Sequence, residues 1–192
     1  MCAARTGQIL NVASLATDCG ISASAAKQWL TVLQASYIIT LLRPHRQNFG
    51  KRMVKSPKLY CLDAGLASRL LGIRDAQTLM THAVRGALFE TWAVAELHKQ
   101  RLNQGAAPDL YFWCDSGGRE IDVLFETADR LVPFETKSGC AFASDWLAGL
   151  KKWQAMSDVK PGASHLIYGG SESYQREGMD VHGWRDMGSL LS

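Results

Sequence analysis

With 192 residues, 47% of them hydrophobic and 20% charged, the chain has the composition of an ordinary globular protein, long enough for one domain or two small ones. No apolar run is long enough to span a membrane, and the N-terminus lacks the apolar core of an export signal, so the cytoplasm is the expected location. The net charge of +3 is uneven: residues 1–80 carry ten Lys/Arg against three Asp/Glu, a net of +7, and the remainder eleven against fifteen, a net of −4.

The basic part, residues 1–80, reads as helix, tight turn, helix and hairpin. Asn11 caps a short helix from Val12 to Cys19, and Gly20 stops it. Ser22 or Ser24 caps the next, which runs to about Ala35 with Ala25, Trp29, Val32 and Leu33 at helical spacing. A β-prone run follows from Tyr37 to Leu42, then the basic stretch Arg43 to Arg52, then a returning strand from Lys58 to Asp63. Helix–turn–helix followed by a hairpin is a winged-helix pattern, in which the second helix enters the major groove and the wing touches the backbone. The expected DNA contacts are Lys27 and Gln28 on the helix and Arg43, Arg46, Lys51, Arg52, Lys55 and Lys58 on the wing. The same pattern also serves as a protein-binding module with a solvated basic loop, since a fold does not fix a function.

Residues 64–80 read as a helical or irregular connector. The second part, residues 81–192, opens with a helix from about Ala83 to Gln100. Strands follow at Leu110–Cys114, Glu120–Glu126 and Leu131–Lys137, separated by turn residues. A helix from about Ser144 to Met156, a strand to Tyr168, a late extended piece at Asp180–Trp184 and a short terminal helix complete it. The fold class is α/β, α+β over the whole chain.

Five cysteines without a C-x-x-C pair give neither a disulfide framework nor a zinc finger, and the five histidines show no metal spacing. The chemistry concentrates in the two strands around Asp122 and Glu135-Thr136-Lys137. Side chains alternate along a strand, so Glu120 and Asp122 share one face of the first, and Glu135 and Lys137 one face of the second. If the strands are hairpin neighbours, Asp122, Glu135 and Lys137 gather on one face. Two close carboxylates repel, and a divalent cation relieves this; oxygen ligands suit Mg²⁺ or Mn²⁺. The lysine is then placed to orient the attacking water and to stabilise a charged transition state. A bare D…E-x-K spacing is common, and by itself it also fits exposed carboxylates balanced by a lysine.

Ile121-Asp122 with Glu135-Thr136-Lys137 resembles the PD-(D/E)xK nuclease superfamily. That resemblance implies a restriction-endonuclease-like α/β domain after the winged helix, and a further metal-binding glutamate from the preceding helix, which Glu90 in Gly86-Ala87-Leu88-Phe89-Glu90 matches. Further motifs recur along nearly the whole chain: Tyr60-Cys61-Leu62-Asp63-Ala64-Gly65, Phe112-Trp113-x-x-Asp115, Gly118-x-Glu120-Ile121-Asp122, Phe134-Glu135-x-Lys137-Ser138-Gly139 and Tyr168-Gly169-Gly170. Together they resemble the C-terminal region of a family of prokaryotic AAA+ ATPases. The resemblance implies an ATPase domain as partner in a longer protein, with oligomeric assembly. The chain itself has no G-x-x-x-x-G-K-[ST] phosphate loop, so ATP binding is not expected in it. Two functions follow: a metal-dependent nuclease acting on DNA, or a catalytically silent regulatory region that binds DNA or protein.

Overall fold

The computed structural model describes residues 1–46, 54–128, 130–157 and 164–191, and packing divides the chain into two compact units. The first takes Met1–Arg43 and Ser56–Ala95; the second takes Pro44–Lys55 and Glu96–Ser192. Both mix helices and strands, in keeping with the α/β class. Among the described residues no helix is long and apolar enough to cross a membrane.

The first unit runs β1 (Gln8–Ile9), α1 (Val12–Cys19), α2 (Ala23–Ala35), β2 (Ile39–Pro44), β3 (Lys58–Cys61), α3 (Ala64–Leu70) and α4 (Ala76–Thr81). Its strands pair antiparallel in the order β1-β3-β2, with Leu59 between Gln8 and Leu41. Asn11 accepts the Ser14 N–H to start α1, and Gly20, at φ 66°, ends it. Ser22 accepts the Ala25 N–H to start α2. Tyr37 then takes the left-handed conformation at φ 55°, and the Ile38 N–H reaches back to the Leu33 carbonyl. This helix-terminating motif consumes Tyr37 and Ile38, so the strand begins at Ile39, two residues later than the β-prone run suggests. The connector after β3 is two short helices, each capped by an aspartate: Asp63 accepts from Leu66 and Asp75 from Thr78. Leu10, Leu15, Leu30, Ile39, Leu59, Ala67, Ile73 and Leu88 form the core.

Helix α5 (Arg85–Asn103) begins in the first unit and ends in the second, the division falling after Ala95. The second unit continues with β4 (Leu110–Cys114), β5 (Glu120–Glu126), β6 (Leu131–Lys137), α6 (Ala148–Ser157), β7 (His165–Tyr168), β8 (Tyr174–Arg176) and β9 (Met179–Gly183). A 3-10 turn, Ser144–Leu147, leads into α6, and another, Trp184–Ser189, stands where the terminal helix is expected. The sheet order is β4-β5-β6-β7-β9-β8. Strands β4, β5 and β6 form an antiparallel meander; β6, β7 and β9 run parallel; β8 closes the edge antiparallel to β9. A parallel neighbour cannot be reached by a tight turn, and α6 supplies the crossover between β6 and β7. It packs on β5 and β6. Trp113, Ile121, Leu124, Leu147, Leu150, Trp153, Leu166 and Val181 make the core here. Trp113 and Trp153 are among its most deeply buried side chains. All five cysteines are free thiols.

Candidate active site

Strands β5 and β6 are hairpin neighbours, paired through Val123–Phe134, Leu124–Pro133, Phe125–Val132 and Glu126–Leu131. Directly opposed residues share a face, so the next step of this register sets Asp122 opposite Glu135. There the ladder gives way to a side chain. Asp122 Oδ2 accepts both the backbone N–H and the hydroxyl of Thr136, each at 2.8 Å. The carboxylate is thereby fixed by the strand that carries Glu135.

Glu135 is buried, 9% exposed, in the middle of β6. Its Oε1 accepts from Lys137 Nζ at 2.8 Å. Its Oε2 is buried and has no hydrogen-bond partner among the described residues. Burial, and next the charge of Asp122, push the Glu135 carboxyl up to about 8; Lys137 opposes this without cancelling it. Gly149 in the first turn of α6 lies beside this side chain: a Cβ there would be 4.0 Å from both carboxylate oxygens, an ordinary contact. Lys137 is thus bonded to Glu135, and Asp122 acts on Glu135 through its charge. An orphaned buried carboxylate oxygen, with a second carboxylate close enough to act on it by its charge, offers hard oxygen donors of the kind a hard divalent cation uses.

Beside this pair opens a cavity of about 140 Å³ lined by Trp113, Arg119, Glu120, Gly149, Lys152, Trp153 and Met156. Two cations, Arg119 and Lys152, are among its lining. Arg119 is held by Asp115, which accepts from its Nε at 2.8 Å and from its backbone N–H at 3.0 Å. Asp115 is itself buried, and it accepts the Gly117 N–H too. Burial alone would raise its carboxyl; the hydrogen bonds from Arg119 and Gly117 outweigh that and lower it. Sequence reasoning missed Arg119, Gly149 and Lys152. Arg119 is adjacent to Glu120 and so was within reach; the two α6 residues approach only through the crossover.

Glu90 lies on α5 within the first unit. Its Oε1 accepts from Lys58 Nζ at 2.8 Å and from the Tyr60 hydroxyl at 2.5 Å. This corrects the expectation for Lys58, which is buried and ion-paired rather than presented to phosphate. Of the other basic candidates, Lys27, Arg43, Arg46 and Lys55 are exposed, as is Gln28. Lys51 and Arg52 lie outside the described residues. Helix α2 also exposes apolar surface, with Trp29 61% and Val32 52% accessible.

Residues 85–186 match the family described as Domain of unknown function (DUF4143), and residues 1–77 match Domain of unknown function (DUF8612). Two curated relatives are similar: "Uncharacterized protein Rv2008c" of Mycobacterium tuberculosis and "Uncharacterized protein Mb2031c" of Mycobacterium bovis. Each is 33% identical over 132 residues, which is 68% of this chain and 29% of the relative. The chain spans less than a third of the length of these relatives. No solved structure matches it.

Proposed function

The chain belongs to the family of DUF4143, a domain of unknown function, and we propose that its second unit is a divalent-metal-dependent nuclease of the PD-(D/E)xK kind, served by a winged helix in the first unit that binds DNA. The observation that carries this reading is Glu135: a buried carboxylate with one oxygen on Lys137 and the other without a partner, in register with Asp122. A buried charge persists only when compensated, and Asp122 adds to the deficit. Mg²⁺ or Mn²⁺ would compensate it, with Asp122 and Glu135 as the ligands. When bound, the cation would acidify a water and draw charge from a phosphate oxygen.

The protein's own groups complete the reaction. Thr136 holds Asp122 in place through two hydrogen bonds. Lys137 orients the attacking water and stabilises the charge that builds on the phosphorus oxygens. The water oxygen bonds to phosphorus and releases a proton to solvent, the ester P–O bond breaks, and the departing sugar oxygen takes up a proton from solvent. Arg119 and Lys152, lining the adjacent cavity, attract the phosphate backbone. Glu90 is the proposed third carboxylate, as the motif resemblance implies. An AAA+ ATPase domain as partner in a longer protein, with assembly through it, rests on the same resemblance and on the greater length of the relatives.

Calorimetric titration of Mn²⁺ tests the site. The parent protein binds Mn²⁺ and Asp122→Asn does not; equal heats from both would remove Asp122 from any metal site.

A second reading, a silent module that binds protein, is favoured by the apolar surface of α2. Trp29 and Val32 stand where a DNA-reading helix would carry polar groups. DNA affinity against salt separates the two. A winged helix that holds phosphates through Arg43, Arg46 and Lys55 loses affinity steeply with salt, and loses more on their neutralisation. Affinity that ignores both changes points to a protein partner.

A further inference from the structure

The histidines, scattered along the sequence, are gathered by the parallel strands. His165 on β7 pairs in register with Asp180 on β9, and His182 follows two residues later on the same face. His165 Nδ1 and His182 Nε2 are 2.9 Å apart, and Asp180 Oδ2 is 3.8 Å from His165 Nδ1. One ligand atom from each of the three lies within 4.8 Å of the others. His165 is also in register with Phe134, so this face of the sheet is opposite to the one that carries Glu135.

We propose that His165, Asp180 and His182 form a binding site for a borderline divalent transition metal of the Zn²⁺ class, separate from the carboxylate site.

Three features of the surroundings fit. First, two imidazole nitrogens on a tetrahedral zinc ion stand about 3.3 Å apart, given bonds of about 2.0–2.1 Å. The present separation is a few tenths of an ångström short of that, so small side-chain rotations admit the ion. Second, the carboxylate is already oriented. Gln175, in register with Asp180 on β8, donates from Nε2 to Asp180 Oδ1 at 2.9 Å and leaves Oδ2 turned to His165. Outer hydrogen bonds of this kind aim the ligands of metal sites. Third, His165 is stacked on Phe134, with ring centroids 4.8 Å apart and planes 16° from parallel, which fixes the ring on its apolar side. Side-chain exposures of 17% for His165 and 29% for Asp180 leave an opening for the ion and for a water or substrate as fourth ligand.

Two histidines and one carboxylate suit zinc with an open position, whereas the all-oxygen site suits magnesium or manganese. The two can therefore be read separately. Zn²⁺ is titrated into the whole chain in excess Mg²⁺, which occupies hard oxygen ligands wherever they exist, and Co²⁺ is added in parallel for its visible spectrum. One Zn²⁺ per chain is expected, and Co²⁺ is expected to give the intense bands of four-coordination without a thiolate charge-transfer band. His182→Gln abolishes both signals. Gln175→Ala, which spares all three ligands, weakens Zn²⁺ binding by about 10- to 100-fold. The proposal is overturned if Co²⁺ gives no four-coordinate spectrum with the parent protein, or if His182→Gln, folded by circular dichroism, binds Zn²⁺ as the parent does. Loss of Mn²⁺ binding in Asp122→Asn bears on the carboxylate site only.

Discussion

Asp122→Asn lowers Mn²⁺-dependent hydrolysis of DNA by about 10²- to 10³-fold, the size of effect that follows loss of one preorganised charged group at a reacting centre. The substitution is chosen for what it keeps. Asp122 accepts two hydrogen bonds from Thr136 at 2.8 Å, and the asparagine carbonyl can accept the same two. Alanine would leave the Thr136 N–H without its partner and mix a folding defect into the result. The asparagine lacks the charge and one of the two oxygens, so it cannot share a cation with Glu135. It also removes the charge that helps to raise the Glu135 carboxyl, so Glu135 ionises more readily in the variant. If Mn²⁺ worked through Glu135 alone, the variant would cleave at least as fast as the parent. Cleavage at the parental rate by Asp122→Asn, with unchanged melting, would therefore end the nuclease reading. Cleavage that persists equally in Glu135→Gln would show that the activity comes from elsewhere.

The site was legible where local rules decide it. The bounds of β4, β5 and β6 follow from apolar alternation broken by Gly117-Gly118 and by the turn after Glu126, and the structure places them at the expected residues. Given those bounds, alternation together with hairpin pairing of the two strands puts Asp122, Glu135 and Lys137 on one face. What was not legible depends on long-range pairing or on burial. β1 is two exposed residues, Gln8 and Ile9, and β8 is Tyr-Gln-Arg; neither has enough apolar pattern to announce a strand. Lys58 looks like one more wing cation until Glu90, 32 residues on, accepts its charge. His165 and His182 are 17 residues apart, and only the parallel register of β7 and β9 brings them together. The D-x-H spacing of Asp180 and His182 was the one local sign, two ligand types on one strand face. Tyr37 shows the reverse case, where β propensity was outvoted by the helix end preceding it.

Glu135→Gln stabilises the metal-free protein at alkaline pH, and its advantage vanishes in acid. The Glu135 carboxyl titrates at 4.5 in the unfolded chain and at about 8 in the folded one. Between these values the folded state keeps a proton that the unfolded state has released. Stability therefore falls as pH rises, because the unfolded state binds fewer protons. The contribution is fully present below pH 4.5 and is lost by the time pH passes about 8. At about 1.4 kcal/mol per unit of displacement, the whole loss is at most about 5 kcal/mol, a large share of the stability of a domain. Glutamine fills the same space, still accepts from Lys137, and has nothing to ionise. Urea unfolding in EDTA from pH 5 to 9 should show the parent falling away from a flatter Glu135→Gln curve, with most of the gap opening before pH 8. Mn²⁺ should close that gap for the parent, because a bound cation holds the carboxylate ionised and exchanges for its proton. If the two curves stay parallel in EDTA, burial does not govern Glu135, and the orphaned oxygen loses its significance. If they diverge in EDTA and Mn²⁺ leaves the gap open, the strained carboxylate is real but serves something other than a metal.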